Sequence, residues 1–185
     1  THLVRSFDAE LADLYATIPY SPMNVVCCGY ERDQIDRDLD GFGYLIPRKE
    51  GCNILGTLWD SSIFPQRAPE GHVLLRSMFG GATNPGAIEL SDEEVLKRTR
   101  HDLEKIMGIS AEPGFVRIFR HARAIPQYTP GHSRRLGAID GRLGMHDGLF
   151  ATGNAFFGVG LNDCVNASNR VAAKVVDLLR KPAVT

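Results

Sequence analysis

The sequence has no run of about 20 apolar residues, the length a helix needs to cross a bilayer. Its longest uncharged stretch, Leu14 to Tyr30, is interrupted by Pro19 and Pro22 and carries Asn24. It also lacks a basic start followed by an apolar core and a small-residue cleavage site, so no secretion signal is read. These two absences give the expectation of a cytoplasmic protein, soluble or held peripherally on the inner face of a membrane. Charge of one sign is missing too. The 21 Lys and Arg against 22 Asp and Glu leave a net charge of −1, whereas a surface that tracks nucleic-acid phosphates concentrates positive charge. Nucleic acid is therefore not an expected partner. Cysteine is sparse, and Cys27, Cys28, Cys52 and Cys164 include no C-x-x-C pair. All four are read as reduced, packed thiols rather than a disulfide framework. The six histidines show no i,i+3 or i,i+4 pairing, so no metal centre is expected. Finally, no G-x-G-x-x-G is present: Gly41-Phe42-Gly43 is followed by Ile46 in the third position, and Gly158-Val159-Gly160 by Asp163. That removes the usual seat for a dinucleotide pyrophosphate.

What is present fits a folded protein of one domain, or one and a fraction: 185 residues, 43% hydrophobic and 23% charged. Asp8–Ala16 reads as the tail of a helix already under way. Short β-rich runs bounded by Gly or Pro follow at Asn24–Tyr30, Gly43–Pro47, Cys52–Trp59, His72–Phe79 and Phe115–Phe119, a pattern that predicts an antiparallel sheet. Between them Ser91–Met107 is the clearest helix. Ser91 and Glu94 form a capping box, acids fill the first turn, and Gly108 stops it. A basic, Pro-containing stretch runs from Arg120 to Arg135, then a loop with Gly137, Gly141, Gly144 and Gly148. Leu149–Gly153 is predicted as a short strand. A Gly-rich turn then opens a helix from about Leu161 to Leu179, with Lys174, Arg180 and Lys181 near its end.

The Gly-rich turn has two readings. Gly153, Gly158 and Gly160 would let the backbone approach a planar ligand, with the unpaired amides and partial positive charge of the helix N-terminus beside it. Equally, a tight strand-to-helix turn needs glycines for its own geometry.

Five segments carry a more specific signal. GFGYLIPRKEG at Gly41–Gly51, ILGTLWDSSIFPQRAP at Ile54–Pro69, FGGATNPG at Phe79–Gly86, AIPQYTPGH at Ala124–His132 and GLFATGNAFFGVGLNDCV at Gly148–Val165 resemble, in order and spacing, the protoporphyrinogen oxidase family. That family lies within the amine-oxidase and phytoene-desaturase flavoprotein superfamily. The resemblance implies FAD as cofactor, a porphyrinogen as substrate and dioxygen as acceptor, with six electrons removed in three flavin cycles. It implies that Gly158, Val159 and Gly160 meet the isoalloxazine ring, that Gly153 lies in the same segment, and that His121 lies near the flavin. Phe42, Gly43, Leu45, Leu58, Met78 and Ile125 match positions lining the family's tetrapyrrole pocket; without the resemblance each reads as ordinary strand core. No residue is expected to act as acid or base, since Glu70, Asp60 and Asp163 form no evident pair and the cofactor carries the hydride chemistry. Arg117, Arg120, Arg123, Arg134 and Arg135 could anchor substrate propionates but are read as mostly solvated.

The resemblance covers roughly the last two-fifths of such an enzyme, so the chain is expected to be its C-terminal part, inactive alone and needing the N-terminal part as partner. The implied fold class is α+β to α/β. Residues 1–120 would hold the later part of the substrate domain, a partial antiparallel or mixed sheet with a helix. Residues 121–185 would hold the closing strand–helix of a Rossmann-like FAD domain. A homodimer and a peripheral membrane contact are further expectations. The competing readings are another superfamily oxidase acting on amines or carotenoids, and a non-catalytic binding protein on the same architecture, as Rab GDP-dissociation inhibitors are.

Overall fold

The computed structural model describes residues 2–180, which form two compact units. One holds the residues up to Tyr20 and from Ile125 onward, and the other holds Ser21–Ala124. The division expected at residue 120 groups the N-terminal 20 residues with the sheet; they fold instead with the C-terminal segment. Lys181 lies outside the described residues.

In chain order, the short helix α1 (His2–Arg5) and α2 (Ala9–Ala16) precede strand β1 (Tyr20–Glu31). Strands β2 (Gly43–Leu45) and β3 (Ile54–Trp59), the one-turn helix α3 (Asp60–Ile63) and strand β4 (His72–Gly80) follow. Helix α4 (Asp92–Met107), strand β5 (Phe115–Pro126) and helices α5 (His132–Leu143) and α6 (Leu161–Arg180) complete the order.

The Ser21–Ala124 unit is built on a five-stranded sheet in the order β2-β3-β4-β1-β5. Neighbours β2–β3, β3–β4 and β4–β1 are antiparallel, as the short Gly- and Pro-bounded runs predict. Alternation along each strand divides the residues between two faces. Tyr30, Cys28 and Val26 on β1, Val73, Leu75 and Phe79 on β4, and Ile54 and Trp59 on β3 point into one core. That core also takes Val95, Leu103 and Met107 of α4. Each such side chain, fully buried, contributes roughly 1.5–3 kcal/mol.

Helix α4 starts as the sequence indicates, with Ser91 Oγ accepting from Glu94 N at 3.2 Å, and ends at Gly108 in the left-handed region. The capping box is only half made. Glu94 does not return a bond to the cap, because its carboxylate is taken by Arg98 Nε one turn on, at 2.7 Å. Arg120 is a correction to the solvated reading. It donates to the carbonyls of Ile88 and Leu90 at 2.7 and 2.6 Å and pairs with Asp92, tying β5 to the start of α4.

Three local expectations around the C-terminal half change. The strand starting at Phe115 continues through the basic stretch to Pro126, and as an edge strand it can carry arginines into solvent. The Gly-containing segment expected as a loop is helix α5, in which Gly137 and Gly141 are accommodated without contact to neighbouring atoms. Leu149–Gly153 is not a strand: no other segment of the described residues pairs with it, and an unpaired strand leaves its backbone groups to solvent.

In the other unit, Leu11, Ile18, Ile139 and Ala155 form the buried centre, with Tyr15, Leu149 and Phe156 packed around it. Asp8 starts a new helix rather than continuing one: its Oδ1 accepts from Leu11 N at 2.9 Å. Its buried Oδ2 receives Arg142 Nε at 2.7 Å and meets His146 Nε2. The Arg142 guanidinium, and after it His146 and the Leu11 amide, hold the Asp8 carboxyl well below the usual carboxylate range, against the opposing effect of burial. A carboxyl whose pKa is depressed on folding stabilises the fold fully above its unfolded pKa of about 3.9, and that contribution is lost as pH falls below it. Asp8→Asn is therefore expected to lower the urea midpoint at pH 7 and to flatten the loss of stability below about pH 5. Parent and variant curves that coincide at neutral pH and part only in acid would contradict this assignment.

Candidate functional site

In the sheet unit, four of the residues matched to a tetrapyrrole pocket, Gly43, Leu45, Leu58 and Met78, lie on the face away from the core. Gly43 is paired with Leu58, Leu45 with Gly56, and Gly56 with Met78, and paired residues share a face. Leu58 and Met78 are half-buried, while Leu45 is 85% and Phe42 74% exposed. The strand-core reading of these residues is thus not what the fold makes of them: an apolar sheet face is left open. Phe42 is positioned by its carbonyl, which accepts from Trp59 N at 3.0 Å. Gly43 has φ +129°, and a Cβ there would fall 2.0 Å from Thr57 O and 2.8 Å from Leu58 Cα. The close approach of the paired strands β2 and β3 therefore gives this glycine a backbone reason to be present.

The same face carries a charge that reading the sequence as apolar runs passes over. Arg76 stands opposite both Leu58 and Cys27, between Leu74 and Met78 on β4. Its Nη2 donates to Asp60 Oδ1 at 2.9 Å and its Nε lies 2.9 Å from Oδ2. The signal is an Arg set between Leu74 and Met78 at alternate positions of a strand. Cys27 and Cys28 are buried, and burial raises both thiols, Cys28 to about 12. Neither supplies a thiolate near neutral pH.

His121 and Ile125 both lie exposed on β5, on one side of that strand by alternation. They are not part of the open face formed by β2, β3 and β4.

In the other unit, Gly153, Gly158, Val159 and Gly160 form one loop leading into α6. The first helical bond of α6 runs from Cys164 N to Gly160 O at 3.0 Å, so the amides of Leu161, Asn162 and Asp163 have no acceptor within the helix. Val159 and Leu161 are 51% and 81% exposed, and a Cβ at Gly153 would meet nothing. Gly158 differs: at φ +115°, its Cβ would lie 2.5 Å from that of Asp163, so a tight turn alone requires it. The turn reading thus accounts for Gly158, while Gly153 has no such steric requirement.

Tyr128 lies within the AIPQYTPGH segment, but its role is not visible locally, since its partners lie far along the chain. Its hydroxyl donates to Asn154 O at 2.6 Å and accepts from Gly158 N at 2.7 Å, 30 positions on. Its ring stacks on His132, with centroids 4.1 Å apart. The IPQYTPGH segment is thereby a clasp on the Gly-rich loop. An exposed helix N-terminus suits the electron-rich pyrimidine edge of a flavin, with the Asp163 carboxylate packed against Gly158 and Gly160 at the same turn. No three-glycine seat for its pyrophosphate occurs in the sequence. Among the described residues no cluster of His, Cys, Asp or Glu could hold a metal, and no helix is long and apolar enough to cross a membrane.

The chain is 35% identical to the chloroplastic protoporphyrinogen oxidase of Oryza sativa subsp. japonica, over 98% of this chain and 36% of that protein. It is 30% identical to the coproporphyrinogen III oxidase of Bacillus subtilis, over 83% of this chain and 33% of the relative. The chain therefore spans about a third of the length of the curated relatives it matches. A solved candidate protoporphyrinogen oxidase from Exiguobacterium superposes on 97% of this chain and 39% of its own, with a TM-score of 0.76 and 27% identity. The family described as flavin containing amine oxidoreductase matches residues 2–176. With that span, an α+β fold and a Gly-rich approach to an open helix end, the chain belongs to the flavin containing amine oxidoreductase family.

Proposed function

We propose that this chain is the ring-facing and substrate-facing part of an FAD-dependent porphyrinogen oxidase. The observation that carries the proposal is the open apolar face made by Leu45, Leu58 and Met78, beside Phe42. A face of this kind suits a broad, largely apolar macrocycle, because pockets for such ligands are mostly apolar with few polar anchors. Bound FAD would supply the hydride acceptor for a porphyrinogen carbon. Gly158, Val159, Gly160 and the open amides of α6 would receive its pyrimidine edge, and Tyr128 would hold the loop in place. Gly153 would leave room at the loop's other end, and His121 would stand near the ring. Phe42, Gly43, Leu45, Leu58 and Met78 would orient the substrate and exclude water. Protoporphyrinogen is the proposed substrate and dioxygen the acceptor. The relative from Bacillus subtilis favours a second reading, in which the tetrapyrrole is coproporphyrinogen.

The activity would belong to a longer polypeptide or assembly that adds the pyrophosphate seat. The chain alone, mixed with FAD and desalted, is expected to be colourless and inactive. The reading frame that extends it through a G-x-G-x-x-G segment is expected to purify yellow, with about one flavin per chain, and to consume oxygen with a porphyrinogen. Stoichiometric flavin on the chain alone would sink the half-site reading. Turnover of amines but not of either porphyrinogen by the extended protein would sink the substrate reading.

A further inference from the structure

The proposed substrate is an apolar disc edged by propionate carboxylates, so the open face needs a fixed cation as well as apolar surface. Most of the arginines considered from the sequence do not supply it there. Arg120 is held by Asp92 and two carbonyls, and Arg117 lies over the ring of Phe119. Arg134 and Arg135 are on α5, in the other unit. Arg76 is in register with the apolar positions themselves, opposite Leu58 and two residues from Met78.

We propose that Arg76, positioned by Asp60, binds a propionate carboxylate of the substrate and contributes to discrimination among porphyrinogens; this rests on the porphyrinogen oxidase reading. Asp60 is 4% exposed at the start of α3 and grips one edge of the guanidinium through two contacts of 2.9 Å. The opposite nitrogen, Nη1, takes no protein acceptor among the described residues, and the side chain remains 34% exposed. A planar guanidinium held along one edge presents its remaining N–H groups in a fixed direction. Because Asp60 balances its charge, the pair attracts bulk anions weakly. A carboxylate would gain most from it when the macrocycle covers the face and removes water. Lysine could not serve both partners in this way, since it offers a point charge rather than a fork.

The test uses the extended, flavin-loaded protein with two probes, protoporphyrinogen and its dimethyl ester, which lacks both carboxylates. Arg76→Met is expected to raise KM for the diacid and to reduce the diacid-over-diester ratio of kcat/KM about tenfold, with kcat for the diacid changed much less. Arg76→Lys should fall between the two. Since Arg76→Met leaves Asp60 buried without its partner, the paired variant Asp60→Asn with Arg76→Met provides a neutral, better-tolerated version and should give the same ratio. An unchanged ratio in the paired variant, or equal losses on diacid and diester, overturns the assignment. Failure of the unsubstituted protein to oxidise either probe overturns the functional reading, and this inference with it.

Discussion

Gly43→Ala is expected to cost at least about 3 kcal/mol and to release β2 from the sheet, because the strain has no soft neighbour to absorb it. A methyl group at this position meets the Thr57 carbonyl oxygen at 2.0 Å and the Leu58 Cα at 2.8 Å, both backbone atoms of β3. The φ of +129° is itself a conformation that L side chains rarely adopt. The other strand is built to match, since a Cβ at Gly56 would lie 2.3 Å from Tyr44 O. Relief therefore requires β2 to lift, which carries Leu45 off the open face and unseats Phe42 from Trp59. Urea denaturation of Gly43→Ala against Gly86→Ala makes the comparison. A Cβ at Gly86 meets nothing within 4 Å, so its replacement should stay within about 0.5 kcal/mol of the parent. Equal midpoints for the two variants would show that β2 and β3 do not approach this closely in solution. In the extended protein, Gly43→Ala should also weaken porphyrinogen turnover more than flavin retention, since the lesion lies on the proposed substrate side.

Asp102→Ala is the second large effect, about 3 kcal/mol or more, from amides rather than sterics. Asp102 is 2% exposed on α4, and its Oδ2 accepts from the backbone of Asn53 at 2.6 Å and of Ile54 at 2.9 Å. Asn53 Nδ2 approaches Oδ1 at 3.4 Å. One carboxylate thus satisfies the entry of β3, and an N–H stripped of its acceptor in a buried setting carries its full desolvation cost. Asp102→Asn keeps one acceptor oxygen and should recover part of the loss. The check is the midpoint of urea unfolding together with hydrogen exchange at Ile54, whose amide should lose protection in the alanine variant. Retained protection there would mean that another acceptor replaces the carboxylate.

The parts of this fold legible in the sequence are those specified by neighbours along the chain. The Ser91 cap and Gly108 stop of α4 lie within a turn of the residues they serve, and the strands alternate over a few positions. The strand expected at Leu149–Gly153 failed for the complementary reason: a strand needs a partner, and pairing is not a local property. α5 was missed because its glycines suggested a loop, whereas Ile139, wholly buried, supplies a packing reason for helix that composition does not display. For the site, the five ordered segments pointed to the open face and the Gly-rich loop. Arg76–Asp60 and Tyr128 escaped because their roles arise from register and from contacts across 16 to 30 positions.

The clasp made by Tyr128 also sets which atoms remain free to recognise a ligand. With its hydroxyl proton committed to Asn154 O and its lone pair to Gly158 N, the residue has its strongest directional bonds already filled, and the Gly158 amide is withdrawn from recognition. Any electron-rich edge arriving at α6 must find its donors beyond that point, from Val159 onward. Under the proposed flavin-binding reading, Tyr128 would therefore act as an address marker for the loop, fixing the residue at which ligand reading begins.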